Sequence, residues 1–558
     1  MKNPRGLKTG IAAVMAIQFV LFFSCPQTTN DSGGRGIPLN PEPPPESPPE
    51  MEMRTASNPL IKGDVPDVSV LRNGDAYYMV STTMYFCPVA PIMKSWDLVN
   101  WKIVNYCADI LEDLPQFRLE TEDANRIGEY GRGQWAASLR YYGNRYFVSF
   151  TNNTTQKTYI FYTTDIEKGP WNRIEIDRQF HDPSLFFDDD GKVYIFSGYG
   201  NVQLTEMEKN LRAVKEGGLD LPVIPAPDAG GAQNAEGAQV YKRNGKYYIF
   251  LIGWVSGKRA ELCYRSDALT GPYEGRVVLN AGLGSRPGGV AQGSIIDTPD
   301  GDWYGLFFQD RDAVGRMPVL VPMRWDDDGW PVFGDAQGGI PEEFLIKQEK
   351  NFQTNLYASD EFEETELPLA CQWNHNPDKA NWSLTERPGY LRIRTGRTSR
   401  TVYHARNTLT QRTFEPACTG TIALEPAAMK DGDIAGLIAL QAVSGFVGIE
   451  QEGGQKYLVM YTGSGNGTAA AVTRREQIPF TGGRAYFKVN FLFKTPPLNN
   501  TETAAFSYSL DGEAWHSIGT TVALQWTMPH FTGYRFGLFN YATRESGGYV
   551  DFDYFHVE

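Results

Sequence analysis

Cationic side chains are in short supply in this chain, and so are cysteine and histidine. Across 558 residues, 52 Lys and Arg face 66 Asp and Glu, a formal charge of −14. Without clustered cations or a block of like charges there is no footprint for a nucleic-acid backbone, and an uncharged or weakly charged partner fits better. The six cysteines (Cys25, Cys87, Cys107, Cys263, Cys371 and Cys418) contain no CxxC pair, which disfavours a structural zinc site and a cystine scaffold. There is no HExxH and no GxSxG, and the glycine-rich AGLGSRPGG is not followed by the Lys-Ser or Lys-Thr of a phosphate loop. The apolar run Ile11–Phe23 is too short to span a bilayer. What the chain does have is aromatic residues at 13%, 57 Gly and 35 Pro, the make-up of a β-rich, turn-rich protein suited to sugar rings. The length allows two to four domains, each large enough to bury a core without staples.

The first 24 residues join a cationic start, MKNPRGLKTG, to that apolar run and read as a signal peptide. Ser24 and Cys25 at its end resemble a bacterial lipobox, which implies a lipidated Cys25 and a protein anchored at a bacterial envelope, in contact with the membrane only through its lipid. Cleavage of an ordinary signal nearby is the competing reading, and the leaflet is left open. Residues 25–56, with the Pro-rich stretch Pro26–Glu50, read as a semi-rigid tether, and folding is expected to begin near Ser57.

From there the chain repeats. PDVSVLRNGDAYYMV, WAASLRYYGNRYFVSF, DPSLFFDDDGKVYIF, EGAQVYKRNGKYYIF and QGSIIDTPDGDWYGLFF are each an alternating strand, a glycine turn and an aromatic-rich strand. Their turn glycines, Gly74, Gly143, Gly191, Gly245 and Gly301, stand 69, 48, 54 and 56 residues apart, room for one four-stranded blade per interval. An all-β five-bladed propeller over residues 57–345 is the expectation; a sandwich with many hairpins is the alternative. Asp182, Glu236 and Gln292 lie nine residues before their glycines, Trp135 eight before and Asp67 seven before. In a propeller such positions ring one mouth of the central channel. Each carboxylate alone reads as a turn cap or a solvated side chain. Three in register are costly through mutual repulsion and point to acid–base work.

At these residues the chain resembles glycoside hydrolase family 43: DVPDVSV, GQWAASLRYY, FHDPSLFFDDDGKVY and NAEGAQVYKRNGKYY match its signature blocks from about Asn58 to Trp330. STTMYFCPVAPIMKSWDLVNW and DTPDGDWYGLFFQDRDAVGRMPVLVP resemble its β-D-xylosidase and α-L-arabinofuranosidase branch. The resemblance implies an inverting site in which Asp67 is the general base, Glu236 the general acid and Asp182 an ionised neighbour that raises the affinity of Glu236 for its proton. It also implies a sugar-binding shell of Phe86, Trp135, Gln292 and Arg316. Many relatives carry a histidine where this chain has Ala291, which puts a channel calcium in doubt. No metal is expected in catalysis, since His181, the propeller's one histidine, has no partner at ligand spacing in the sequence.

Residues 346–558 lose the repeat and read as a β-sandwich, with strands in GLIALQ, FVGIEQ, KYLVMYTG, RAYFKVNFLF, AFSYSLDG, YRFGLFNY and YVDFDYFHV. This part resembles the concanavalin-like domain fused to that branch. Trp373, Asn374, Asn376 and Trp382 are a candidate polar-aromatic surface, with core the commoner role for such tryptophans. Asp360, Asp551 and Asp553 leave a structural calcium open. Together these readings predict an exo-acting enzyme on terminal pentose of a plant glycan, α-L-arabinofuranose ahead of β-D-xylose. The rivals are a sugar-binding propeller without chemistry and a retaining fructosidase, whose WMNDPNG block is absent.

Overall fold

The computed structural model describes residues 48–558, so the signal segment, Cys25 and most of the tether lie outside the described residues. Five four-stranded antiparallel sheets follow one another in chain order. Their innermost strands are Ser69–Asn73, Ala137–Tyr142, Ser184–Phe187, Gln233–Arg243 and Val290–Asp297. Each touches the next and the fifth touches the first, so the ring is closed.

The closure has a residue-level cause. One serine near the start of four innermost strands accepts a backbone N–H from a neighbouring blade: Ser69 from Leu139 (3.0 Å), Ser138 from Leu185 (3.0 Å), Ser184 from Val240 (3.2 Å) and Ser294 from Val70 (3.0 Å). Blade 4 lacks that serine, and the hydroxyl of Tyr241 takes the N–H of Ile295 instead (3.2 Å). These bonds satisfy strand N–H groups on the edge of each innermost strand, which has no partner strand there. The hairpin glycines sit at the opposite ends of the strands, all with positive φ as the turns require.

Folded structure begins before Ser57. Strand Met51–Ser57 pairs antiparallel with Glu343–Glu349, from Met51↔Glu349 to Ser57↔Glu343. The alternation in MEMRTAS lasts only four residues, Met51 to Arg54, and its partner almost 300 residues away supplies the pairing.

The C-terminal half is two facing antiparallel sheets. All seven strands expected there form: Asp433–Leu440, Val443–Glu452, Gln455–Ser464, Ala485–Leu492, Thr503–Ser509, Arg535–Ala542 and Tyr549–Val557. Ala417–Ala428 and Ala471–Phe480 join them. Leu437, Val447, Phe536 and Leu538 of one sheet pack with Ile422, Phe487, Val489 and Phe552 of the other, all at most 0% exposed.

The propeller donates a strand to this sandwich. Phe86–Cys87, from the loop after the first hairpin, pairs with Trp373 and Asn374 at the edge of one sheet. Trp373, Asn374 and Asn376 are therefore buried at the joint. The Asn374 amide donates to the Tyr130 hydroxyl (2.7 Å) and that of Asn376 to the Glu112 carbonyl (2.6 Å). Trp382 packs on Trp373 with ring centroids 5.0 Å apart. The four residues form no open sugar-binding surface. Asp360, Asp551 and Asp553 are likewise engaged: Asp360 accepts the N–H of Phe362 (2.9 Å), Asp551 is held by Arg392 and Arg387, and Asp553 by Arg484.

Candidate active site

The innermost strands begin on strained backbone. Asp67, Asp182 and Gln292 have φ of 53°, 46° and 56°, and the residue after Glu236, Gly237, has 71°. Left-handed conformations in non-glycine residues cost free energy and concentrate at functional sites. Here the same departure recurs at one repeat position in three blades and turns those side chains toward one end of the channel.

They meet in a cavity of about 370 Å³ lined by Asp67, Trp135, Asp182, Glu236, Gln292 and Arg316, together with Met84, His181, Tyr199, Arg259, Met528 and Phe531. Six of the seven propeller residues singled out from the sequence thus line one pit. Phe86 does not. It is 1% exposed, its strand is pinned to the sandwich by Asn374, and its ring lies under the Arg535 guanidinium at 3.8 Å. The pit wall on that side is Met84.

Asp67 is buried and Nη1 of Arg316 donates to both of its carboxylate oxygens, at 2.9 and 3.1 Å. Burial pushes its carboxyl above the ordinary value and the guanidinium pulls it back. Arg316 is itself fixed by Asp64, whose Oδ1 accepts the Arg316 N–H at 2.8 Å. Gly315 makes that approach possible: at φ 109°, a Cβ there would sit 2.3 Å from the same oxygen. The second oxygen of Asp64 accepts the N–H of Gly533 (2.9 Å), and the Tyr534 N–H donates to the Ala313 carbonyl (3.0 Å). The sandwich loop is so anchored that Phe531 and Met528 enter the pit, with the Phe531 ring 4.9 Å from the Arg316 guanidinium. The sandwich walls one side of the pit, and the part played by Asp64 was not legible in the sequence.

Asp182 is buried, and its carboxyl is pushed up to about 7, first by desolvation and then by the charges of Glu236 and Asp67, against the opposing pull of His181. Glu236 is more open, with its side chain 30% exposed, and its Oε2 lies 2.7 Å from Nε2 of His181. Asp182 is thus raised toward neutrality by its surroundings, and the immediate partner of Glu236 is a histidine. His181, Asp182 and Glu236 keep their donor atoms within 4.8 Å of one another, engaged with each other rather than apart. The sequence signal for this was the adjacency His181-Asp182; its partner Glu236, 55 residues on, is brought in by the register.

Gln292 is placed by Glu261, a buried acid whose Oε2 accepts the Gln292 N–H at 2.8 Å. Burial raises that carboxyl well above its ordinary value. Trp135 stands at the pit edge, its ring 6.0 Å from His181 and 6.1 Å from Phe531.

Both domains have counterparts among known proteins. The model of glycosyl hydrolases family 43 matches residues 56–331, and that of the β-xylosidase C-terminal concanavalin A-like domain matches 359–558. A protein of Formosa agariphila named β-xylosidase is 28% identical over 90% of both chains. One of Bacteroides ovatus named non-reducing end α-L-arabinofuranosidase is 29% identical over 62% of this chain and 66% of its own. The solved structure of a bifunctional GH43-CE protein of Bacteroides eggerthii superposes with a TM-score of 0.84 at 45% identity over 91% of this chain, which spans 64% of that longer protein. The two matched models take in nearly all of the propeller and of the sandwich, and the chain belongs to glycoside hydrolase family 43.

Proposed function

We propose that the protein is an exo-acting, inverting pentosidase in which Asp67 activates water and Glu236 protonates the departing oxygen. The observation that carries this reading is the convergence of Asp67, Asp182 and Glu236 in one small pit. Single displacement needs a base on one face of the sugar and an acid at the glycosidic oxygen. Asp67 suits the base: deep, anchored by Arg316, with burial raising its proton affinity and the guanidinium opposing that rise. Glu236 suits the acid, because it lies toward the open side where a leaving sugar projects. In the reaction a water proton passes to Asp67, the water oxygen bonds to the anomeric carbon, and the leaving oxygen takes a proton from Glu236. Trp135 and Phe531 supply apolar faces for the ring, and Gln292 and Arg316 supply polar contacts. A pit of about 370 Å³ walled by the sandwich loop favours a single terminal sugar over a passing chain.

Terminal α-L-arabinofuranose of plant polysaccharides or oligosaccharides is the first reading of the substrate. β-D-Xylose is the second, favoured by the relative named β-xylosidase that matches both domains. The lipid anchor at Cys25 and the envelope location belong to the same proposal and rest on the sequence alone. The test is hydrolysis of the two aryl pentosides, with NMR of the first-formed anomer. Inverted sugar from one or both supports the reading, whereas retained configuration or no turnover overturns it. Globomycin-sensitive processing that is lost in Cys25→Ala tests the anchor.

A further inference from the structure

We propose that His181 is the proton partner of Glu236, so that the hydrogen-bonded pair, and not the carboxyl alone, acts as the acid. This rests on the reading of Glu236 given above and assigns a positioning and proton-holding role to a residue that the sequence left without one.

The geometry is specific. Nε2 of His181 meets Oε2 of Glu236 at 2.7 Å and stands 3.7 Å from Oδ2 of Asp182. The ring is confined by the edges of Trp135 and Tyr199, each 6.0 Å away at 74° and 84°, and the His181 carbonyl accepts the Gly198 N–H at 3.0 Å. The charged groups facing it are Glu236 and Asp182 directly, with Asp67 behind Asp182. The two pit arginines are turned to other carboxylates: Arg316 pairs with Asp67 and Arg259 with Asp310. Burial lowers the imidazole's proton affinity, but the two nearby carboxylates outweigh it and raise its pKa to about 9.

An imidazolium beside a carboxylate holds one proton between two sites. With sugar in the pit and water displaced, the ion pair loses its solvation, and transfer of the Nε2 proton to Oε2 leaves two neutral partners. Glu236 then gives that proton to the departing oxygen as the bond from anomeric carbon to oxygen breaks. The aglycone leaves as an alcohol, Asp67 keeps the proton taken from the attacking water, and His181 regains one from solvent as Asp67 loses its own. One water is consumed and no proton is left over.

The sign of the pH effect follows. A histidine raised above its ordinary 6.5 stays charged until pH rises through about 9, so the pair retains its proton over that range. Without the imidazole the proton must be held by carboxyls alone, with Asp182 raised by burial and the neighbouring acids and freed of the histidine's opposing pull. His181→Asn and His181→Gln, compared with the parent from pH 4 to 10, are therefore expected to move the alkaline limb of kcat/KM to lower pH by about one unit or more. At pH 7.5 they should lose roughly tenfold or more on a pentose disaccharide, whose leaving group needs protonation, and several-fold less on a dinitrophenyl pentoside. A merely structural histidine would depress both substrates equally and leave the limb where it was, and that result in a folded variant overturns the proposal. Glu236→Gln separates this from the parent reading. If it spares the disaccharide, Glu236 is not the acid; if it abolishes disaccharide turnover while both His181 variants keep the parent profile, only the role of His181 falls.

Discussion

Two clusters of three carboxylates, one in each domain, are treated in opposite ways by their surroundings. On the outer face of the sandwich, Glu425, Asp551 and Asp553 interleave with Arg387, Arg392 and Arg484. Asp551 binds Arg392 at 2.7 and 2.8 Å and Arg387 at 2.9 Å, Glu425 binds Arg387 at 2.6 Å and Arg484 at 3.0 Å, and Asp553 binds Arg484 at 2.7 Å. Three guanidiniums meet three carboxylates, and Glu425 is held below the ordinary carboxylate range despite its partial burial. In the propeller pit, Asp67, Asp182 and Glu236 touch one arginine and one histidine, the second arginine there, Arg259, being paired with Asp310. Asp67 and Asp182 are raised there. Acid clusters are no guide to function in themselves; the shortage of counter-charge sets the pit cluster apart and supports the proton-transfer role proposed for it.

Single substitutions should separate the two clusters. Asp67→Asn is expected to lose on the order of 10³-fold in kcat, the scale of a general base, measured in the folded fraction because the change also strands the buried Arg316 guanidinium. Asp551→Asn should do the reverse. It strands Arg392 against a 1% exposed partner site and is expected to cost about 2–3 kcal/mol in denaturant unfolding, less than a deeply buried pair because Arg387 is a third exposed, with kcat intact in the folded fraction. If Asp67→Asn kept its activity, or Asp551→Asn abolished it without unfolding, the contrast would collapse. Between them lies the sandwich's own reach into the pit: Phe531→Ala should raise KM roughly tenfold on either pentoside, the worth of one well-placed ring, with a smaller change in kcat.

The sequence made the repeated parts legible and the joints between them obscure. Five hairpins could be read because alternation and turn glycines are local properties, and the register of Asp67, Asp182, Glu236 and Gln292 followed by counting. The partners that give these residues their chemistry come from elsewhere in the chain. Glu236 meets a histidine from another blade, Asp67 meets Arg316 from the opposite end of the propeller, and Asp64 ties both to the sandwich loop at Gly533. Phe86 was misplaced for the same reason. The resemblance put it in the sugar-binding shell, but Phe86 and Cys87 pair with a strand almost 300 positions away. Short edge pairings of this kind, like that of Met51–Ser57, leave little periodic trace.

The smallest expected effect probes the pit's charge shortage through stability. Burial and the nearby acids push Asp182 up to about 7, against 3.8 for the free side chain. Between those values the unfolded chain has already released this proton while the folded protein still holds it, so the contribution of Asp182 to stability falls as pH rises from about 4 to about 7 and stays low above. Asparagine carries no such proton. Asp182→Asn should accordingly melt higher than the parent by at least about 2 °C at pH 7.5, with the gap shrinking toward zero at pH 4.5. The matching change in the sandwich, Glu425→Gln, should show the opposite slope, because a carboxylate held low by arginines stabilises the fold at neutral pH and loses that advantage on acidification. Parallel pH profiles for the two variants would mean that the clusters differ in position but not in charge balance.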